Sequence, residues 1–137
     1  MSLVLDASMT IAWLFDDERT PGSAAALRQV LDEGAVVPSL WRLEVANVLR
    51  NAVRRGRCDL GYVDRSIERL RRLPITVDTE TDARAWDTTR ALARGTDLTL
   101  YDAAYLELAI RLGAPLASRD RMLCAAALAH GVTLIGT

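Results

Sequence analysis

The sequence predicts an α/β domain built on a central, mostly parallel sheet of four to five strands flanked by helices. Two patterns carry this expectation. Short apolar segments lack the polar alternation of a half-exposed strand, which suits strands covered on both faces. Longer stretches at helical period separate them, and strands alternating with helices argue for a parallel sheet.

Leu3-Val4-Leu5 reads as the first strand, and Asp6 and Ser8 follow it at the start of a helix. Thr20-Pro21 starts the next helix with proline in its first turn, and Gly34 ends it. Ala35-Val36-Val37 is the second strand, after which Ser39 caps a helix that runs to about Arg55 and stops at Gly56. Asp59 caps another helix, terminated by Pro74, and Ile75-Thr76-Val77 is the fifth candidate strand. Thr79 and Asp82 read as a capping box for a helix reaching Arg94 and closed by Gly95. Thr99 and Asp102 read as a second box, for a helix ending near Gly113. Pro115-Leu116-Ala117 is a strand, a helix runs from about Arg119 to Gly131, and Val132 to Ile135 is the last strand. No linker, repeat or low-complexity stretch interrupts residues 1–137, so a single domain is expected.

Composition narrows the chemistry. All 17 basic residues are arginine, and the formal net charge is -1. Without lysine, Schiff-base chemistry, P-loop phosphate binding and receiver-type phosphotransfer are excluded. Cys58 and Cys124 form no C-x-x-C pattern and stand near no histidine, so two idle thiols in a reducing compartment are expected. The sole histidine, His130, ends the last helix, where a cation suits the helix dipole. That closes Ser-His-Asp and Cys-His mechanisms. The N-terminus has no basic start and is interrupted by Asp6, and the longest apolar run, Met122 to Ala129, is too short for a membrane span. A soluble, cytoplasmic protein is the expectation.

In open parallel sheets ligands bind beyond the carboxyl ends of the strands. Asp6 follows the first strand, with Ser8 beside it; Ser118 and Asp120 follow the strand ending at Ala117; Asp102 and Glu44 lie in the first turns of their helices. Each aspartate alone is explained by capping or by the favourable helix dipole. Glu44 is harder to explain, because it borders the apolar face of its helix, where an unpaired charge costs several kcal/mol. Asn47, one turn on, is the candidate to orient it. Four clustered carboxylates repel one another and raise their own pKa values. A hard divalent cation relieves that repulsion, and an all-oxygen set favours magnesium or manganese over zinc. Such ions hydrolyse phosphodiesters without a protein nucleophile.

Four strings now stand in order. L-V-L-D-A-S contains Asp6, V-P-S-L-W-R-L-E-V-A-N-V-L contains Glu44, L-T-L-Y-D-A-A-Y-L-E-L-A contains Asp102, and P-L-A-S-R-D contains Asp120. Together they resemble the four motifs of the PIN-domain ribonucleases, most closely the VapC-type toxins of bacterial toxin–antitoxin pairs, along the whole chain. The family commonly has threonine where this chain has Ser118, whose hydroxyl makes the same hydrogen bond. The resemblance implies a three-layer PIN-like fold, magnesium or manganese dependence and an RNA substrate. It also implies a homodimer and a cognate antitoxin that blocks the acidic site, often with an inserted arginine.

Arg119 and Arg121 flank Asp120 and are the best-placed candidate contacts to RNA phosphates. The cluster Arg50, Arg54, Arg55 and Arg57 and the stripe Arg65, Arg69 and Arg72 are alternatives, or simply solvated faces. Trp13, Trp41 and Trp86 sit at core spacing and read as packing. Other readings are a solitary nuclease without an antitoxin and a catalytically idle PIN-like module that binds RNA or protein. A haloacid-dehalogenase-type phosphatase would need aspartate in place of Ser8, and a lysine.

Overall fold

The computed structural model describes residues 1–137. Its core is a five-stranded, all-parallel sheet in the order β3-β2-β1-β4-β5. The strands are β1 (Leu3–Leu5), β2 (Ala35–Val37), β3 (Ile75–Val77), β4 (Leu116–Ala117) and β5 (Leu134–Ile135). All five expected strands are present. β1 lies at the centre, pairing Val4 with both Val36 and Leu116, and its three residues are fully buried. Its unalternating apolar sequence follows from cover on both faces.

The chain moves outward from β1 to β2 to β3, returns to place β4 on the other side of β1, and ends at β5. The switch point therefore lies between β1 and β4, where strand ends diverge and leave a crevice for ligands.

The helices are α1 (Ala7–Ala12), α2 (Pro21–Glu33), α3 (Trp41–Arg54), α4 (Leu60–Arg71), α5 (Thr81–Arg84), α6 (Arg90–Gly95), α7 (Leu100–Leu112) and α8 (Arg121–Ala129). A 3-10 turn, Asp16–Glu18, follows α1, and a π-helical turn, Ala85–Thr89, joins α5 to α6. α2 starts with the reciprocal Thr20–Ser23 capping box, and Asp59 caps α4 through the Tyr62 amide at 2.8 Å. Gly22 lies so close to Gly136 that a Cβ would stand 2.3 Å from its carbonyl oxygen, so α2 docks on the chain end only with glycine there. α7 is buried almost all round, from Ala103 to Ala109, because it packs on both β1 and β4. Its small alanines allow the close approach to the sheet.

Four expectations need correction. Ser39 does not cap α3: its hydroxyl donates to Asp82 Oδ1 at 3.0 Å, and α3 begins after Leu40 without a side-chain cap. That contact takes Asp82 away from the capping box expected with Thr79, and α5 begins at Thr81 after Glu80. Trp86 is not core; it is 84% exposed on the π turn, whereas Trp13 and Trp41 are buried. An extra residue per turn shifts the helical register, so the spacing that reads as core turns Trp86 outward. The last helix starts at Arg121, two residues later than expected, because Asp120 is its N-cap.

Candidate active site

Asp6 leaves β1 directly into the N-cap of α1, where its Oδ1 accepts from the Met9 amide at 2.9 Å. Only 4% of the residue is exposed. Two hydroxyls hold the carboxylate: Ser8 Oγ lies 2.8 Å from Oδ1 and 2.9 Å from Oδ2, and Ser118 donates to Oδ2 at 2.5 Å. The serines are themselves fixed by the turn after β4, since Ser8 accepts from the Arg119 amide at 2.9 Å and Ser118 from the Asp120 amide at 3.0 Å. The two strand ends at the switch point are thus laced together through one carboxylate. Burial pushes the Asp6 carboxyl up to about 6, against the pull of Ser118, Met9 and Ser8, and the charge of Asp102 adds to the rise.

Asp102 sits in the first turn of α7. The Thr99 hydroxyl accepts from its amide at 3.2 Å, but no bond returns from its carboxylate to close a capping box. Burial and then the charge of Asp120 raise its pKa, and the Thr99 hydroxyl moderates the effect. Asp120 caps α8 through the Leu123 amide at 2.9 Å. Glu44, in the first turn of α3, is half-buried; burial raises it, the Tyr105 phenol lowers it, and Asp102 raises it again.

All four acids line one cleft of about 500 Å³, together with Ser8 and Tyr105. Asp102 is the electrostatic hub, felt by Asp6 and Glu44 and itself feeling Asp120. No three His, Cys, Asp or Glu side chains close into a ready-made cage, so the acids stand around the space instead of gripping one point. The cleft's two guanidiniums, Arg57 and Arg119, pair with Asp17 and Glu18 and not with these four acids. A more apolar groove of about 440 Å³ lies between α3, α4 and β3, but it brings no carboxylates together.

The partner of Glu44 is not Asn47. Asn47 is exposed and makes no side-chain hydrogen bond; the Tyr105 hydroxyl donates to Glu44 Oε1 instead. Tyr105 is 1% exposed, and burial and then Glu44 hold its own pKa far above the phenol range, so it stays a donor. Arg119 lines the cleft, whereas Arg121 is exposed on the first turn of α8 and does not. Arg57 lines it too, alone among the α3-end cluster. His130 caps the C-terminus of α8, with Nδ1 2.8 Å from the Ala126 carbonyl.

A group with a raised folded-state pKa lends stability that is fully present below its unfolded value and is lost as pH rises through the folded one. For Asp6 that window runs from 3.8 to about 6. In chelator at about pH 7.5, Asp6→Asn, which keeps an N-cap acceptor, is expected to be more stable than wild type by about 3 kcal/mol. The gap should vanish near about pH 4. Denaturant titrations at the two pH values measure it, and equal stabilities at the higher pH would contradict the buried charge.

An open parallel sheet with acids at its switch point, each ending a strand or opening a helix, defines a class, and the chain belongs to the PIN-domain family, whose model matches residues 3–129. Within it, the chain is similar to ribonuclease VapC3 of Mycobacterium tuberculosis, 33% identical over 127 residues that cover 90% of this chain and 86% of the relative. It is also 32% identical over 123 residues to ribonuclease VapC3 of Pyrobaculum aerophilum, covering 90% of this chain and 92% of that one. Among solved structures, PAE2754 of Pyrobaculum aerophilum superposes with a TM-score of 0.69 at 25% identity, over 92% of this chain and 84% of that chain. VapC20 of Mycobacterium tuberculosis, described as a sarcin–ricin-loop-cleaving toxin, shares the fold at a TM-score of 0.63 and 16% identity, over 91% of this chain and 95% of its own. The three-layer PIN fold and the family resemblance read from the motifs are both borne out.

Proposed function

We propose that this chain is a divalent-metal-dependent endoribonuclease, the toxin of a type II toxin–antitoxin pair, with Asp6, Glu44, Asp102 and Asp120 holding magnesium or manganese. The observation that carries the reading is the coupling of desolvated carboxylates through Asp102 within one cleft. Such a set is poorly stable alone and well suited to a hard cation, which takes oxygen ligands and, as magnesium, keeps several waters. The bound ion supplies Lewis acidity at the phosphodiester and a water of lowered pKa.

The chain's own residues orient that chemistry. Ser8 and Ser118 fix the direction of the Asp6 carboxylate, and the Tyr105 hydroxyl fixes that of Glu44. Such outer partners typically change metal affinity or activity by about 10–100-fold when lost. Arg119, on the cleft wall, contacts substrate phosphate.

The names of the relatives support RNA as substrate, and family membership supports an antitoxin that covers the acidic cleft, a homodimer and a cytoplasmic location. No helix is long and apolar enough to cross a membrane.

Purified protein is expected to cut RNA in magnesium or manganese and to stop in chelator. Manganese at about a hundredfold over its Kd should stabilise the wild type by about 2.7 kcal/mol. The double variant Asp6→Asn, Asp102→Asn should lose this response. A protein that cuts no RNA and melts at the same temperature with or without manganese would be an idle PIN-like module, and the proposal would fail. Growth arrest on expression, relieved by the product of a small adjacent gene, separates a toxin from a solitary nuclease.

A further inference from the structure

We infer that Arg57 and Arg119 together form a clamp for RNA phosphates, and that the acidic turn Asp16–Glu18 occupies this clamp until RNA displaces it. The inference rests on the ribonuclease reading above. Of the 17 basic residues in the chain, only these two arginines line the cleft that holds the four acids. They reach it from unrelated segments, Arg57 from the turn between α3 and α4 and Arg119 from the turn after β4.

Arg57 is held in place before any substrate arrives. Its guanidinium lies over the Phe15 ring, 3.9 Å from the centroid. Nη2 donates to Asp17 and Nη1 to Glu18, each at 2.7 Å. Arg119 Nη1 donates to the Glu18 carbonyl at 2.8 Å and stands 3.9 Å from its carboxylate. Glu18 is therefore shared by both arginines, and the turn ties the two guanidiniums together across one wall of the cleft.

A carboxylate offers a guanidinium two oxygens in a plane, and a phosphate offers the same fork. The turn thus stands in for the ligand. Asp17 is the partner most open to water, its side chain 74% exposed against 35% for Arg57. Exposed pairs of this kind contribute little, so phosphate can replace Asp17 at small cost while the Phe15 stack keeps Arg57 aimed. The clamp is also required by charge. The cleft carries six carboxylates against two guanidiniums, a formal −4 that would be −6 without these two arginines, so they are the cleft's only attraction for a polyanion among its side chains.

The test is binding of a fluorescein-labelled RNA hairpin to Asp102→Asn protein in magnesium, across a salt series. Arg57→Ala should weaken binding roughly tenfold and lower the slope of log affinity against log salt by about one. Arg28→Ala, on the exposed face of α2, should change neither. Asp17→Asn should tighten binding roughly twofold to fivefold beyond Asp16→Asn, which removes the same charge from the same turn but pairs with Arg19 and leaves Arg57 occupied; a purely structural ion pair would give the two variants the same gain. Folded Arg57→Ala with unchanged affinity, or Asp17→Asn that binds no better than Asp16→Asn, overturns the inference. If Arg57→Ala does not fold, the Asp17→Asn result decides. Wild-type protein that cuts no RNA in magnesium would instead sink the ribonuclease reading, a failure this binding assay does not measure.

Discussion

Asp102→Asn is expected to reduce RNA cleavage by roughly a thousandfold or more while leaving the protein folded. The fold should survive because the cap of α7 uses the Asp102 amide and the Thr99 hydroxyl, neither of which the substitution touches. Asparagine keeps the size of the side chain and removes only the charge. The loss should exceed that of any other single acid because Asp102 is the one carboxylate felt by both Asp6 and Glu44. A second readout follows from the same coupling. In metal-free protein the Asp6 and Glu44 carboxyls should titrate lower once Asp102 is neutral, as carbon-detected NMR would record. By contrast, Ser8→Ala removes an orienting hydroxyl and should cost about 10–100-fold. A folded Asp102→Asn protein that cuts RNA at the wild-type rate would remove Asp102 from the mechanism and leave the cleft without its hub.

How much of this site could be read from the sequence depends on how local each contact is. Asp6, Ser118 and Asp120 were legible because they directly follow buried strands, and a parallel sheet sends such residues to one edge whatever its details. Asp59 was legible as a cap because a cap bonds an amide three residues on. Tyr105 was not, because its bond to Glu44 joins residues 61 positions apart and depends on how α3 and α7 are rotated against each other. Its sequence neighbourhood marks it only as apolar core. Asn47 looked suitable by its distance along one helix, yet helix spacing says nothing about which way the Glu44 carboxylate turns. Ser39 and Asp82 each carry a good local capping signal and satisfy one another instead, 43 residues apart. Arg57 was hidden among neighbouring arginines of equal local merit; only Phe15 and the acidic turn single it out.

The least legible feature carries the largest expected loss of stability. Arg111, near the end of α7, donates to both oxygens of Asp78 at 3.1 and 2.8 Å and to both oxygens of Glu107 at 2.8 and 3.1 Å. Arg111 thus fastens the residue after β3 to α7, and Arg84, which approaches Glu107 to 3.8 Å, adds α5 to the same network. The side chains of Arg111, Asp78 and Glu107 are 12%, 9% and 6% exposed. Removing the central cation leaves Asp78 with only the Thr81 hydroxyl and Glu107 with only the more distant Arg84 guanidinium, a loss of about 3 kcal/mol for a buried network, against a typical total stability of about 5–15 kcal/mol. Arg111→Met should therefore unfold at far lower denaturant than wild type at neutral pH. The hydrogen bonds from Arg111 hold the Asp78 carboxyl below its ordinary range. A depressed folded-state pKa lends stability that is present above the unfolded value and lost as pH falls through the folded one, so the deficit of Arg111→Met should shrink in acid. Adding Asp78→Asn and Glu107→Gln to Arg111→Met should recover most of the loss at neutral pH, since the stranded charges are then gone. If the triple variant is no more stable than Arg111→Met alone, the penalty comes from lost packing of the arginine stem and not from unpaired charge.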